Sequence, residues 1–410
     1  MFRKTFWNFA SQLLGLAVSF GDRFVLAAIL LRAWPTDLYA DWTTISACAG
    51  LLGLADFGFV VYIGNRFQRT FALNDDSGFI RAVGFSTFMY AALAFAMLLI
   101  LLGLTVVELV HPFLSVRALA PSQGATVLAL LGLTQIVHSA KSSISQIYRG
   151  RGRFARGVVI DSFCTFGITA TTIVIALCGV GPAALALAYV GAHLVFGWGI
   201  LLTDIHRNFG NVALTPLWPQ TNELREAARA MSWYSIGYAL PLVWVQTPVL
   251  MLSAFGLGGL ALVSFVTLRT LINFCRSFSA MLSTSAGVEL AAHVHAGDIM
   301  EVERGLAVIA RLVGITGGVM VGGALTFGGP VIEIWTGKTD LLDIATLFWL
   351  AVPSITVAPA LPLLYLAQLA DIPKPIAKCQ AAQAAMAIAL GGLLVGRFGS
   401  AGLALSLIHI

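Results

Sequence analysis

Apolar residues run along this chain in blocks of about twenty, divided by short polar connectors. That is the length a helix needs to cross a hydrocarbon core about 30 Å thick. The blocks fall near 9–31, 40–63, 82–105, 123–146, 158–179, 183–203, 231–252, 259–281, 305–328, 343–367 and 379–396. A further stretch opens at 401 and reaches Ile410, too short to cross, so the pattern predicts a twelfth span cut short. Strand-length alternating segments, which a membrane barrel requires, are absent. The prediction is an all-α polytopic membrane protein with about twelve transmembrane helices.

Composition agrees: 58% of the 410 residues are hydrophobic and 10% charged, against about 25% charged in soluble domains. Mean hydropathy is +0.89. The opening "MFRKTFWNFASQLLGLAVSF" has the basic head and apolar stretch of a cleaved signal. The apolar run resumes after Arg23 and continues to Leu31, which favours an uncleaved first span. Cys48, Cys164, Cys178, Cys275 and Cys379 sit within apolar blocks at no metal or redox spacing, and read as packing residues. The net charge of +5 does not point to nucleic acid, because the basic residues lie in short connectors and not on a folded surface.

The connectors alternate in charge. One set holds Arg3 and Lys4, Arg66, Arg69 and Arg81, the arginines of "YRGRGRFARG" (Tyr148 to Gly157), Arg207, Arg225 and Arg229, Arg304, and Lys374 and Lys378. The other holds only Arg32, Arg117, Lys338 and Arg397. The positive-inside rule then predicts a cytoplasmic N-terminus. The glycines of the "YRGRGRFARG" run fit no Walker loop or dinucleotide fingerprint, so it reads as a cytoplasmic anchor. The longest inner connector, 204–230, separates an N-terminal six-helix bundle, 1–203, from a C-terminal one, 231–410, whose last span is incomplete. "NDDSGFIRA" and "HAGDIMEVERG" echo each other about 223 residues apart, and such internal repeats mark transporters that rock one half against the other. No outer connector exceeds about seventeen residues, which leaves little room for an external catalytic domain.

Charges inside the membrane are costly unless paired or facing a wet cavity, so each is a candidate site residue. In span 8, Arg269, Asn273 and Arg276 share one helical face at i, i+4 and i+7, a pattern suited to an anion; Arg276 is near enough to a helix end to snorkel instead. Span 4 carries Gln135, His138, Ser142 and Ser145 on one face beside Lys141, lining a cavity or bonding helices together. Arg23, within span 1, is a further cavity cation, while its neighbour Asp22 reads as a bond to another helix. Asp56 and Asp161 are coupling carboxylates or structural partners of arginines. Tyr238 could stack on a sugar ring, whereas Trp233 and Tyr234 fit an interfacial belt. Pro353, Pro359 and Pro362 must break span 10. His293, His295 and Asp298 lack a further ligand in register and predict no metal site.

The segment "LLRAWPTDLYADWTTISACAGLLGLADFGF", with Arg32, Pro35, Asp56 and Gly58, resembles the first two spans of the polysaccharide flippases of the multidrug/oligosaccharidyl-lipid/polysaccharide exporter superfamily. "LALVSFVTLRTLINFCRSFSAMLSTSAGVELAAHVHAGDIMEVERG" is similar to the matching second-half segment. The resemblance implies two pseudo-symmetric bundles, alternating access and a cationic cavity for an undecaprenyl-pyrophosphate-linked oligosaccharide, formed here by Arg23, Lys141, Arg269, Asn273 and Arg276. It implies no catalytic residues and no cofactor beyond a coupling ion, H+ or Na+. Its expected partners are membrane lipid, the lipid-linked sugar and other polysaccharide-assembly proteins, in a bacterial inner membrane. A multidrug exporter of the same superfamily would prefer an acidic cavity. A polysaccharide polymerase or ligase would carry a large external loop.

Overall fold

The computed structural model describes residues 15, 17–18, 20–106, 114–210, 212–369 and 373–407. The side chains of Asp22, Arg23, Trp233, Tyr234 and Tyr238, all singled out above, lie outside the described residues.

Among the described residues the structure is helix after helix with no strand. A π-helical stretch, Gly21–Leu26, runs into α1 (Ala27–Ala33). Then follow α2 (Thr36–Leu51), α3 (Phe59–Ala72), α4 (Asp76–Val106), α5 (Pro121–Ser145), the short α6 (Ile147–Gly150), α7 (Phe154–Leu177), α8 (Pro182–Ala192) and α9 (Ile200–Asn208). The remainder comprises α10 (Thr221–Ala254), α11 (Leu260–Ala296), α12 (Ile299–Thr336), α13 (Ile344–Thr356), α14 (Leu361–Leu369) and α15 (Pro373–Ser406). Eight described helical stretches are long and apolar enough to cross a membrane, and the bent pair Thr36–Asp56 and Phe59–Phe71 makes a ninth.

The chain divides into two compact units. The first comprises Met1–Trp34, Trp42–Phe113 and Arg117–Leu242, and the second Pro35–Asp41, Leu114–Val116 and Val243–Ile410. The first unit thus keeps the connector and the opening turns of α10. Its core is aromatic: Phe59, Phe67, Phe79, Phe85, Tyr90 and Tyr148 are all buried in one cluster. Gly150 permits that packing, since a Cβ there would lie 2.6 Å from both Phe67 Cβ and Phe79 Cε2. In the second unit, Gly317 of α12 lies under Ala358 and Ser279, where a Cβ would meet each at 3.2 Å.

Irregularities fall where residue chemistry calls for them. The proline-rich span breaks after α13 into a 3-10 turn, Ala358–Ala360, before resuming as α14. Gly399, at φ 58 and ψ −138, interrupts α15 and separates its apolar body from residues 400–406. The two echoing segments also share a backbone device. Asn74 (φ 54) and Gly297 (φ 77) each end a helix in the left-handed region one residue before an aspartate, Asp75 or Asp298, and the next helix starts directly after it.

Candidate functional site

The arginine run following α5 folds back on its own unit. Arg149 donates to Gln68 Oε1 at 3.1 Å. Arg151 pairs with Asp76 at 2.5 Å and lies over the Phe79 ring at 4.1 Å. Arg153 lies over Phe209, and Arg156 forks onto Asp204 at 3.0 and 2.6 Å. Asp204 also accepts from Tyr148 Oη at 2.6 Å. Each of these arginines has a partner within the unit, so the run is a helix clamp and not a phosphate loop.

A second clamp holds the start of α10. Glu223 accepts from Arg66 at 2.6 Å and from Arg81 at 3.1 and 3.2 Å. It also accepts from the Gln220 backbone N–H at 2.9 Å, which is half of a capping box. Burial pushes the Glu223 carboxyl up, but hydrogen bonds from Arg81, Gln220 and Arg66 outweigh it and bring it down to about 2.

Deeper in the first unit, α5 and α7 bring Lys141 and Asp161 together at 2.5 Å. Lys141, expected to line a cationic cavity, is 3% exposed and its charge is met by Asp161, whose side chain is 57% exposed. The reason is energetic: an ammonium sealed inside a helix bundle is tolerable only when paired. The Lys141 stem runs beside Gly197, within the π-helical stretch His193–Gly199. His138 meets His193 edge to face at 5.8 Å, and His193 Nδ1–H donates to the Tyr189 carbonyl at 2.9 Å. Lys141, His138 and Asp161 therefore form one titratable cluster, joined by His193, which the polar pattern of span 4 gave no cause to include. The rest of the polar stripe divides. Ser142 and Ser145 bond carbonyls of their own helix, at 3.0 and 2.7 Å. Gln135 donates to Ser139 at 3.4 Å, and Ser143, outside the stripe, bonds Ser86 of α4 at 2.9 Å.

Asp56 ends a 3-10 turn, Leu52–Asp56, that interrupts span 2. Phe57 (φ 49) and Gly58 (φ 70) then both adopt left-handed backbone, and the two halves of the span meet at 41°. Asp56 is 1% exposed and accepts from Tyr90 Oη and, at 3.4 Å, from the Val60 backbone N–H. It is thus buried and hydrogen-bonded next to the bend.

In the second unit, Arg269, Asn273 and Arg276 occupy one face of α11, a single helix from Leu260 to Ala296. Arg269 donates to the Val245 carbonyl of α10 at 2.7 Å and stands 5.5 Å from the Phe265 ring. Arg276 lies within electrostatic range of the Tyr365 phenol on α14, past the proline break. No carboxylate among the described residues forms an ion pair with Arg276. This face can receive an anion through charge-assisted hydrogen bonds.

Asp22 and Arg23 fall in the π-helical stretch Gly21–Leu26, so the helix is wider there than a regular α-turn. Among the described residues no cluster of three metal-ligating side chains occurs; His293 and Asp298 approach at 3.6 Å as a surface pair.

These features define a polytopic helical membrane protein with charged clusters buried inside it, and the fold has solved relatives. An inward-facing multidrug resistance MATE family transporter of the MOP superfamily superposes with a TM-score of 0.77 at 13% identity, covering 97% of this chain and 93% of that one. The lipid II flippase MurJ, in an inward closed conformation, gives 0.70 at 12% identity, covering 97% and 84%. A MOP superfamily transporter from Pyrococcus furiosus, described as having a binding pocket of reverse polarity, gives 0.67 at 13% identity, covering 98% and 91%. The chain has the fold of this superfamily: all-α, polytopic, about twelve helices in two bundles. No protein-family model and no curated protein matches the sequence.

Proposed function

We propose that this chain is a flippase that carries an undecaprenyl-pyrophosphate-linked oligosaccharide from the inner to the outer leaflet of a bacterial inner membrane, with its N-terminus cytoplasmic. The observation that carries the reading is the α11 face, where two guanidiniums flank an amide within a membrane helix. Arginine forks match phosphate oxygens two at a time, and at low dielectric each such contact is stronger than in water. Arg269, Arg276 and, from span 1, Arg23 would hold the pyrophosphate, while the prenyl tail stays in lipid. Transport requires no bond to be made or broken, so the chain acts as a carrier and not as an enzyme. The two halves, 1–203 and 231–410 about the connector 204–230, would alternate access. Asp161, half open beside Lys141, is the carboxylate through which a coupling H+ or Na+ would act. Other polysaccharide-assembly proteins would supply the substrate and take the product.

A second reading, a multidrug exporter, is favoured by the 0.77 TM-score to a MATE transporter. Against it stand the engaged carboxylates: Asp56 is buried and bonded to Tyr90, and Asp161 faces the Lys141 ammonium. A bulky cationic drug would meet a like charge there, where a proton or Na+ needs only the exposed side of the Asp161 carboxylate.

The test is reconstitution of the purified chain in vesicles loaded with a fluorescent prenyl-pyrophosphate oligosaccharide, with membrane-impermeant quenching to report its leaflet. Protein-dependent exchange that is lost in R276A supports the flippase. Absence of exchange, together with uptake of cationic dyes, would overturn it in favour of the exporter.

A further inference from the structure

An apolar groove of about 440 Å³ runs along the first turns of α10 in the first unit, within the size range of ligand pockets. Its floor follows one helical stripe, with Ala227, Ala228 and Met231 leading to Ser235, and its far end meets Phe57 at the bend of span 2 and Met89 of α4. Ala228 and Ser232 are exposed, so the groove is open along one side. Phe57, 52% exposed, presents its ring there from a left-handed backbone.

Glu223 is one turn before Ala227 on the same stripe, so the Arg66–Arg81–Glu223 cluster closes the connector end of the groove. That cluster is short of acceptors. Arg66 Nη1 is sealed from water without an acceptor of good geometry among the described residues, and the Tyr62 hydroxyl, sealed as well, has the Arg66 guanidinium as its polar neighbour. Tyr62 is 6% exposed, and its hydroxyl lies within electrostatic range of Arg66, Glu223 and Glu226. Buried donors without acceptors are rare and costly. Around this end the cations Arg66, Arg81, Arg225 and Arg229 outnumber Glu223 and Glu226, and Arg81, Arg225 and Arg229 are exposed.

We propose that the groove binds an anionic glycerophospholipid of the surrounding membrane, with one acyl chain along the α10 stripe toward Phe57 and the phosphate at the Arg66–Arg81 cluster. Charge complementarity selects the headgroup, and the apolar stripe takes the chain. The site is independent of the transport reading, because it needs neither the α11 arginines nor any cargo.

The experiment is thermal unfolding of the purified full chain in detergent with added phosphatidylglycerol or phosphatidylcholine, with native mass spectrometry of the same samples. Phosphatidylglycerol is expected to raise the unfolding temperature and to remain bound, and phosphatidylcholine to do neither. Met231→Trp fills the groove and abolishes the shift; Ala228→Trp, on the exposed wall, does the same should the Met231 variant fail to fold. Arg81→Gln reduces the preference for the anionic lipid. Equal shifts with both lipids, or a shift undiminished in the tryptophan variants, would overturn the proposal. So would a shift given by a prenyl phosphate but not by phosphatidylglycerol, which would reassign the groove to the transported lipid.

Discussion

Lys141 and Asp161 are bonded across two membrane helices, with the ammonium sealed and the carboxylate half open. Removing the carboxylate leaves a charge with no partner in the core. Asp161→Asn is expected to destabilise the protein by about 3 kcal/mol, toward the lower end for a buried pair because the carboxylate retains exposure. The double variant Lys141→Met with Asp161→Asn should recover most of that loss. Chemical unfolding of the two single variants and the double variant checks this through their coupling.

The Glu223 clamp carries a pH signature. Its carboxyl falls from an ordinary 4.5 to about 2 in the folded chain, so its stabilisation is fully present above 4.5 and is lost as pH drops toward 2. Glu223→Gln should lower stability by about 2 kcal/mol at neutral pH. The gap between wild type and variant should then narrow below pH 4.5, as read by unfolding temperature against pH. A gap unchanged at pH 3 would contradict the pairing.

At the bend in span 2, Tyr90→Phe removes the hydroxyl that serves the buried Asp56 carboxylate, at an expected cost of about 1–3 kcal/mol. Gly58→Ala should cost about 1 kcal/mol, since its backbone is left-handed. Phe57→Gly relieves the same strain and removes an exposed ring, so stability should hold or rise slightly. Differential scanning of the three variants orders them.

On α11, Arg269→Ala and Arg276→Ala should each reduce flipping about 10- to 100-fold, the equivalent of losing one charge-assisted hydrogen bond of ~1.5–3 kcal/mol. Lysine at either position keeps the charge but loses the fork, so recovery should be partial. Initial exchange rates at equal folded protein in vesicles measure this.

Much of the fold was legible because hydrophobic blocks of membrane length permit few other structures, and three prolines in one span force a break. The pairings were less visible, although one regularity carries them. Lys141 and Asp161 are equidistant from Arg151 at the turn between their helices, and Asp56 and Tyr90 are equidistant from Leu73, where α3 ends. Antiparallel helices joined by a tight turn bring such positions level, so intramembrane polar residues could be matched by hairpin arithmetic. That arithmetic fails for Glu223, whose partners Arg66 and Arg81 precede it by 157 and 142 residues, with α5 to α9 in between. It fails also for His193, whose π-helical turn shifts the helical face. Among the cavity candidates, Lys141 was singled out from the sequence as a charge, but its neutralising partner came from another helix.

The bend at Phe57 and Gly58 sits at one end of a cross-braced pair of helices. The α3–α4 hairpin is closed at one end by the chain at Asn74 and at the other by the Asp56–Tyr90 bond, while Arg66 and Arg81 tie both of its arms to Glu223. A hairpin fastened at three points behaves as a stiff plate and not as two loose rods. The start of α10 is thereby tied through Glu223 to both arms of a hairpin whose first arm begins at the Phe57–Gly58 bend.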